Sequence, residues 1–207
     1  MRNTGPTNYS PRALRERPRL EKAPKKYEEY AYILDDPPYG RPGAQRSMYH
    51  GRTVIQIVGE TYFTLLEAVP RSDAEYRIAE RIYVGKKGRT IVEHILGRIT
   101  YDELTSAAKQ ELGNVVEEII RGNADRFIAF FNLSQPVTPR MHAMELIPGI
   151  GKRLMWQILD QRERVPFESF EDLQNRVNIT DPVKLLARRV LKELSEDEKY
   201  TLFTRPA

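Results

Sequence analysis

The sequence predicts an α+β fold: a small five-stranded β-barrel followed by an all-α C-terminal region. Three observations lead there. Short runs rich in β-formers, bounded by turn residues, recur between residues 27 and 99, and apolar residues recur at spacings of three and four after residue 100. Fourteen prolines and twelve glycines divide the chain into short elements. About 40% of the 207 residues are hydrophobic, enough for a real core in one large or two small domains.

Residues 1–26 hold Pro6, Pro11, Pro18 and Pro24 and only Met1, Leu14 and Leu20 as large aliphatics. No apolar period is possible there, and the segment reads as a disordered or extended basic arm. It carries eight Lys and Arg against Glu16 and Glu21, a net charge of +6. The rest of the chain has 25 basic and 27 acidic residues, a net of −2, so any anion-binding surface on the folded part must be a local patch.

Five strands are expected over residues 27–99. Residues 27–34 alternate and are rich in β-formers, and residues 53–58 and 62–69 flank Gly59-Glu60-Thr61, which suits a hairpin between them. Residues 81–84 and 90–95 flank Gly85-Lys86-Lys87-Gly88-Arg89, which reads as a second hairpin. So few short strands bury one face economically by curling and closing. The Pro- and Gly-rich residues 35–43 form a long loop.

Residues 100–135 form a helical connector. Thr100 and Glu103 fit a capping box, and Leu104, Ala107, Ala108, Leu112, Val115, Val116, Ile119 and Ile120 keep helical spacing. A shorter helix over 124–133 follows Asn123 as its cap. Six acidic against three basic residues make this segment the least suited to face phosphate. Residues 136–207 read as short helices: one opened by Thr138-Pro139, one restarting at Lys152, one from Ser169 and one from Asp181-Pro182.

Chemistry concentrates at Leu146-Ile147-Pro148-Gly149-Ile150-Gly151-Lys152. Two glycines permit a tight turn. Ile150 between them points inward, and the restarted helix offers free amides and its dipole to an anion. Lys152 and Arg153 follow to pair with neighbouring phosphates. This string resembles the helix-hairpin-helix modules, which implies sequence-independent contact with a nucleic-acid backbone through Pro148, Gly149, Ile150, Gly151, Lys152 and Arg153. Met155 departs from the small residue usual in that family. A second helix–turn–helix over 169–194 lacks Gly-x-Gly, and Asp181 occupies its helix start, so it is expected to pack against the first rather than bind. Arg188, Arg189 and Lys192 read as a solvated helix face.

Barrels of the oligonucleotide/oligosaccharide-binding type use basic loops for phosphate and exposed aromatics for stacking. Lys86, Lys87 and Arg89 are the corresponding candidates, with Tyr62, Phe63 and Tyr83 near strand ends. Arm, barrel, helix and Pro-Gly-Ile-Gly-Lys turn, in this order, also resemble an uncharacterised archaeal family of predicted RNA-binding proteins. That resemblance implies RNA as partner and a link to ribosome or RNA-metabolism proteins.

Enzymatic readings find little footing. Helix-hairpin-helix glycosylases carry a catalytic lysine just past the hairpin and a later aspartate. Here Lys152 stands one step early, and residues 161–167 hold no aspartate. His50, His94 and His142 share no ligand spacing, and cysteine is absent, which removes disulfides, thiolate metal sites and a thiol nucleophile. No catalytic residue, metal or cofactor is expected. No apolar run is long enough to span a membrane and no secretory leader is evident, so a cytoplasmic location is expected. The expected function is non-enzymatic binding of nucleic acid, RNA before DNA. The alternatives are a DNA-binding or repair-associated protein and a protein-interaction module.

Overall fold

The computed structural model describes residues 27–37 and 53–205. The basic arm, most of the 35–43 loop and His50 lie outside the described residues. The described chain is α+β: one five-stranded antiparallel sheet, a two-stranded hairpin and five α-helices.

Strands β1 (Tyr30–Asp35), β2 (Ile55–Gly59), β3 (Leu65–Pro70), β4 (Arg81–Tyr83) and β5 (Val92–Arg98) form the sheet in the order β4-β1-β2-β3-β5. The β2–β3 hairpin forms as expected, with Ile55 opposite Ala68 and Val58 opposite Leu65. The expected β4–β5 hairpin does not form: β4 pairs with β1, and β5 pairs with β3. The two strands are opposite edges of the sheet, and among the described residues no ladder closes it. It is a half-barrel, curled by register shifts at Ile33/Asp35, Glu67/Ala68 and Val69/Pro70, since an extra residue on one strand bends it and increases its twist.

Both faces of the sheet are covered. Ala31, Ile33, Ile55, Ile57, Leu66, Ala68, Ile82, Val84 and Val92 meet on one side. Tyr32, Leu34, Val58 and Leu65 belong to a larger core that continues through the helices. Hence β1 has four consecutive buried residues, Ala31 to Leu34, instead of the alternation of a half-exposed strand.

A buried carboxylate holds the β2–β3 turn. Glu28 accepts hydrogen bonds from the amides of Thr61 (2.9 Å), Tyr62 (3.0 Å) and Thr64 (3.1 Å). Phe63 adopts a left-handed φ of 52° inside that turn, which delays the start of β3 to Leu65. Gly59 is required beside it, because a Cβ there would strike the Glu28 side chain.

The helical connector begins in two steps. Thr100 and Glu103 do form a capping box, but on a single 3-10 turn, Tyr101–Glu103. The long helix α1 (Ser106–Gly122) starts at Thr105, whose hydroxyl accepts the Ala108 amide at 3.0 Å and donates to Asp35 Oδ2 at 2.5 Å. That bond ties the end of β1 to the head of α1. Ala108, Leu112, Val115, Val116, Ile119 and Ile120 form its buried stripe. Helix α2 (Ala124–Leu133) follows Asn123 as expected, but the Asn123 side chain donates to Glu60 Oε1 and the Ile119 carbonyl instead of capping α2.

After α2 the expected helix at Thr138-Pro139 is replaced by a hairpin, β6 (Pro136–Thr138) with β7 (Met141–His142), and a 3-10 turn, Ala143–Leu146. Pro136 and Pro139 lack amides and Val137 and Thr138 are β-branched, so Met141, Met144, Leu146 and Ile147, although spaced for a helix, do not nucleate one. Helices α3 (Lys152–Arg164), α4 (Phe170–Arg176) and α5 (Pro182–Ser195) follow.

Candidate nucleic-acid interface

The segment joining the 3-10 turn to α3 makes a tight bend. Ile147 and Ile150 are buried in the main core, and the Ile150 amide donates to the Ile147 carbonyl at 3.0 Å. Gly149 sits at φ +99°, a conformation costly for any side chain, and a Cβ there would stand 3.0 Å from Leu185 of α5. Gly149 and Gly151 are exposed, and Pro148 is half-buried. Ile150 points inward, as its flanking glycines suggested.

Gly151 is the N-cap of α3, in extended backbone at φ −86° and ψ 175°. No side chain caps this helix, and a Cβ on Gly151 would meet nothing within 4 Å. The leading amides of α3 therefore open onto solvent with the positive end of the helix dipole behind them. Lys152 and Arg153 are exposed, and neither has a hydrogen-bond or ion-pair partner among the described residues. A shallow groove runs from Gly151 past Arg153, Leu154 and Gln157 to Asn178, in the turn between α4 and α5.

Helix α5 supports this bend from below. Arg189, expected on a solvated face, is 1% exposed. Its guanidinium donates to the Leu146 carbonyl (3.1 Å), Glu193 (2.7 Å), Glu198 (2.9 Å) and the Tyr200 carbonyl. Glu193 in turn accepts the amides of Leu202, Phe203 and Thr204. A buried guanidinium needs such partners to offset its lost hydration, and here they lock the C-terminal segment and the entrance of the bend together. Arg188 is exposed, while Lys192 pairs with Glu198 at 2.8 Å. The second turn carries a carboxylate at its helix start: Asp181, at φ 49°, accepts the Lys184 amide at 3.1 Å and pairs with the Lys184 ammonium at 3.2 Å. Partial burial would raise the Asp181 carboxyl, but the amide and ammonium of Lys184 outweigh it and hold it below the usual carboxylate range.

Sequence reasoning passed over Trp156, the single tryptophan, which is 65% exposed on α3. It lies four residues after Lys152 and three after Arg153, on the helix face those two cations share. Its position at helical spacing within the α3 run hid it, because periodicity does not distinguish an aromatic at the border of the stripe from one outside it.

The other candidate cations lie elsewhere. Lys86, Lys87 and Arg89 follow β4, and no hydrogen bond, ion pair or cavity joins them to residues 148–153 among the described residues. Lys86 stands 4.6 Å over the Tyr27 ring. Arg89 Nε donates to the carbonyls of Val84 (3.0 Å) and Gly85 (2.6 Å), fixing the loop. Of the aromatics, Phe63 is fully buried against Phe127, Tyr83 packs edge-on to Tyr30, and Tyr62 lies under Arg205. No group of three or more metal-ligating side chains occurs among the described residues, and no helix there is long and apolar enough to cross a membrane.

The described region coincides with a family match. The model of a protein family of unknown function, DUF655, matches residues 27–205. An uncharacterized protein of Methanocaldococcus jannaschii, MJ0038, is 41% identical over 184 residues, 88% of this chain and 82% of the relative. The crystal structure of Af1531 from Archaeoglobus fulgidus, assigned to the same family, superposes with a TM-score of 0.78 at 43% identity, covering 86% of this chain and all of the other. By sequence along its whole described length and by fold, the chain belongs to the DUF655 family.

Proposed function

We propose that this protein binds nucleic acid without acting on it chemically, with RNA as the first candidate ligand, and that the bend at residues 148–153 contacts the phosphate backbone. One observation carries the reading: α3 opens at a bare, exposed glycine with no side-chain cap, followed by two cations that have no hydrogen-bond or ion-pair partner among the described residues. Ser, Thr, Asp or Asn at such a start accepts an amide with its side chain, whereas glycine leaves that amide open. Ser169 caps α4 and Asp181 caps α5 within the same region. The uncapped amides and dipole of α3 suit a phosphate oxygen, and Lys152 and Arg153 suit its neighbours along the strand. The bend supplies amides and two cations, with no carboxylate, imidazole, hydroxyl or thiol between Pro148 and Arg153.

In this reading the bend is a reduced helix-hairpin-helix element whose first helix has shrunk to a 3-10 turn, and the half-barrel is of the oligonucleotide-binding type, a partly open five-stranded barrel. The α4–α5 unit is its packing partner: Leu185 and Arg189 of α5 hold the bend in shape, and Asp181 repels phosphate from the second turn. The test is Lys152→Ala/Arg153→Ala, with affinity for mixed-sequence RNA and DNA read by fluorescence anisotropy. The double variant is expected to weaken binding about tenfold with unchanged thermal stability. Equal affinity for both proteins overturns the reading, and capture of a protein partner that survives nuclease and high salt favours an interaction module instead.

A further inference from the structure

The open side of the half-barrel is a cleft with the properties of a base-binding pocket. A cavity of about 320 Å³ lies between the β4 and β5 edges, which do not pair. Its floor and walls are apolar, from Leu66 of β3, Val84 after β4 and Ile95 of β5. Its rim is cationic: Lys86 and Arg89 on the β4 side and Arg98 on the β5 side. Arg98 is exposed and has no side-chain partner among the described residues. Tyr27, 54% exposed, stands at the mouth with the Lys86 ammonium over its ring. Among the described residues the only carboxylate in the lining is Glu28, and its oxygens are taken up by the amides of Thr61, Tyr62 and Thr64.

We infer that this cleft takes one unstacked nucleobase of a single strand, with the phosphates on either side of it held by Lys86 and Arg98. The inference rests on the nucleic-acid reading above and adds a second contact point with a stated ligand chemistry. An apolar slot suits the face of a planar base, and cations on both banks suit the backbone that must run across its mouth. A wholly apolar ligand would leave the rim cations unused, and a duplex would present no free base to the slot. Lys87, exposed and without a partner among the described residues, extends the cationic bank by one residue.

The experiment compares two labelled single-stranded probes, a uridylate decamer and a decamer of abasic ribose phosphate with the same charge. Each is titrated against the full chain, Ile95→Trp, which fills the cleft, Lys86→Ala/Arg98→Ala, which strips its banks, and Gly151→Asp. The full chain is expected to bind the uridylate probe about tenfold more tightly than the abasic one, a base-stacking preference. Ile95→Trp brings that ratio to near one while keeping abasic affinity. Lys86→Ala/Arg98→Ala, at surface positions, weakens both probes even if Ile95→Trp fails to fold. Gly151→Asp weakens both probes and leaves the ratio intact. A ratio of one in the full chain, a ratio unchanged by Ile95→Trp, or affinities unchanged by Lys86→Ala/Arg98→Ala overturns the cleft proposal. Loss of all effect of Gly151→Asp overturns the bend instead, so the two failures are distinct.

Discussion

Replacing Gly151 by aspartate separates stability from binding in one substitution. Its backbone, at φ −86° and ψ 175°, accepts any L residue, and nothing lies within 4 Å of the position a Cβ would take. An aspartate at this N-cap can accept the amide of Leu154 or Arg153 and complement the helix dipole, as Asp181 does at α5. Glycine is already a tolerable cap, so the gain is small, about 0.3–0.5 kcal/mol, and the melting temperature rises by a degree or two. Binding moves the other way. The carboxylate occupies the amides proposed for phosphate and places a negative charge roughly 5 Å from the backbone, worth about 1–3 kcal/mol of repulsion between aqueous and surface screening. The affinity for single-stranded RNA is expected to fall at least about fivefold in anisotropy titrations at 100 mM salt, while thermal unfolding shows an equal or higher midpoint. A variant that is as stable as its parent and binds as well refutes the assignment of this helix start to phosphate.

Other residues carry independent expectations. Arg189→Ala leaves Glu193 buried without its cation and frees the Leu146 carbonyl; urea denaturation should show a loss of about 3–5 kcal/mol, and a loss under 1 kcal/mol contradicts the locking role. Burial, with the nearby Arg162 charge, pushes the His142 imidazole below its ordinary 6.5, and its Nδ1 accepts the Met144 amide at 3.2 Å, so the folded state needs it neutral. The unfolded chain therefore takes up the proton first: stability is full above pH 6.5 and falls as pH drops below it, and His142→Gln should flatten the profile just below pH 6.5. A parent profile that is flat there removes the histidine from the account. Trp156 emission, the only tryptophan signal in the chain, should change on RNA binding, and an unchanged spectrum at saturation excludes a ligand along the exposed face of α3.

What was legible in the sequence was what local pattern dictates. Runs of β-formers bounded by turn residues located all five strands, although β1, β2 and β3 are buried without alternation, and the stripe from Ala108 to Ile120 located α1 because it is a face that must be buried whatever the partner. The Gly-x-Gly bend was legible because glycine is there for a backbone reason, visible as φ +99° at Gly149 and an open N-cap at Gly151. Partner choice was not legible. Lys86-Lys87-Gly88 looks like a hairpin turn, yet β4 finds β1 and β5 finds β3, because the register of the ladder depends on the opposing strand and not on the connecting loop. Thr138-Pro139 has the composition of a helix start, but two prolines within four residues favour extended backbone. Arg189 and Glu28 share the same defect of view: a charged residue reads as exposed until the long-range carbonyls and amides that surround it are known. The cleft between β4 and β5 follows from the unpaired edges, so no local motif announces it.

We propose that the folded region meets a phosphate backbone through the open amides of α3 and through cations that have no ion-pair partner among the described residues. It is tested most directly by the salt dependence of affinity for a single-stranded RNA, measured on a protein lacking residues 1–26. Phosphate contacts by Lys152, Arg153, Lys86 and Arg98 give a slope of log K against log salt of about −3, steeper again when the arm is restored. A slope indistinguishable from zero, or no binding at 50 mM salt, contradicts it.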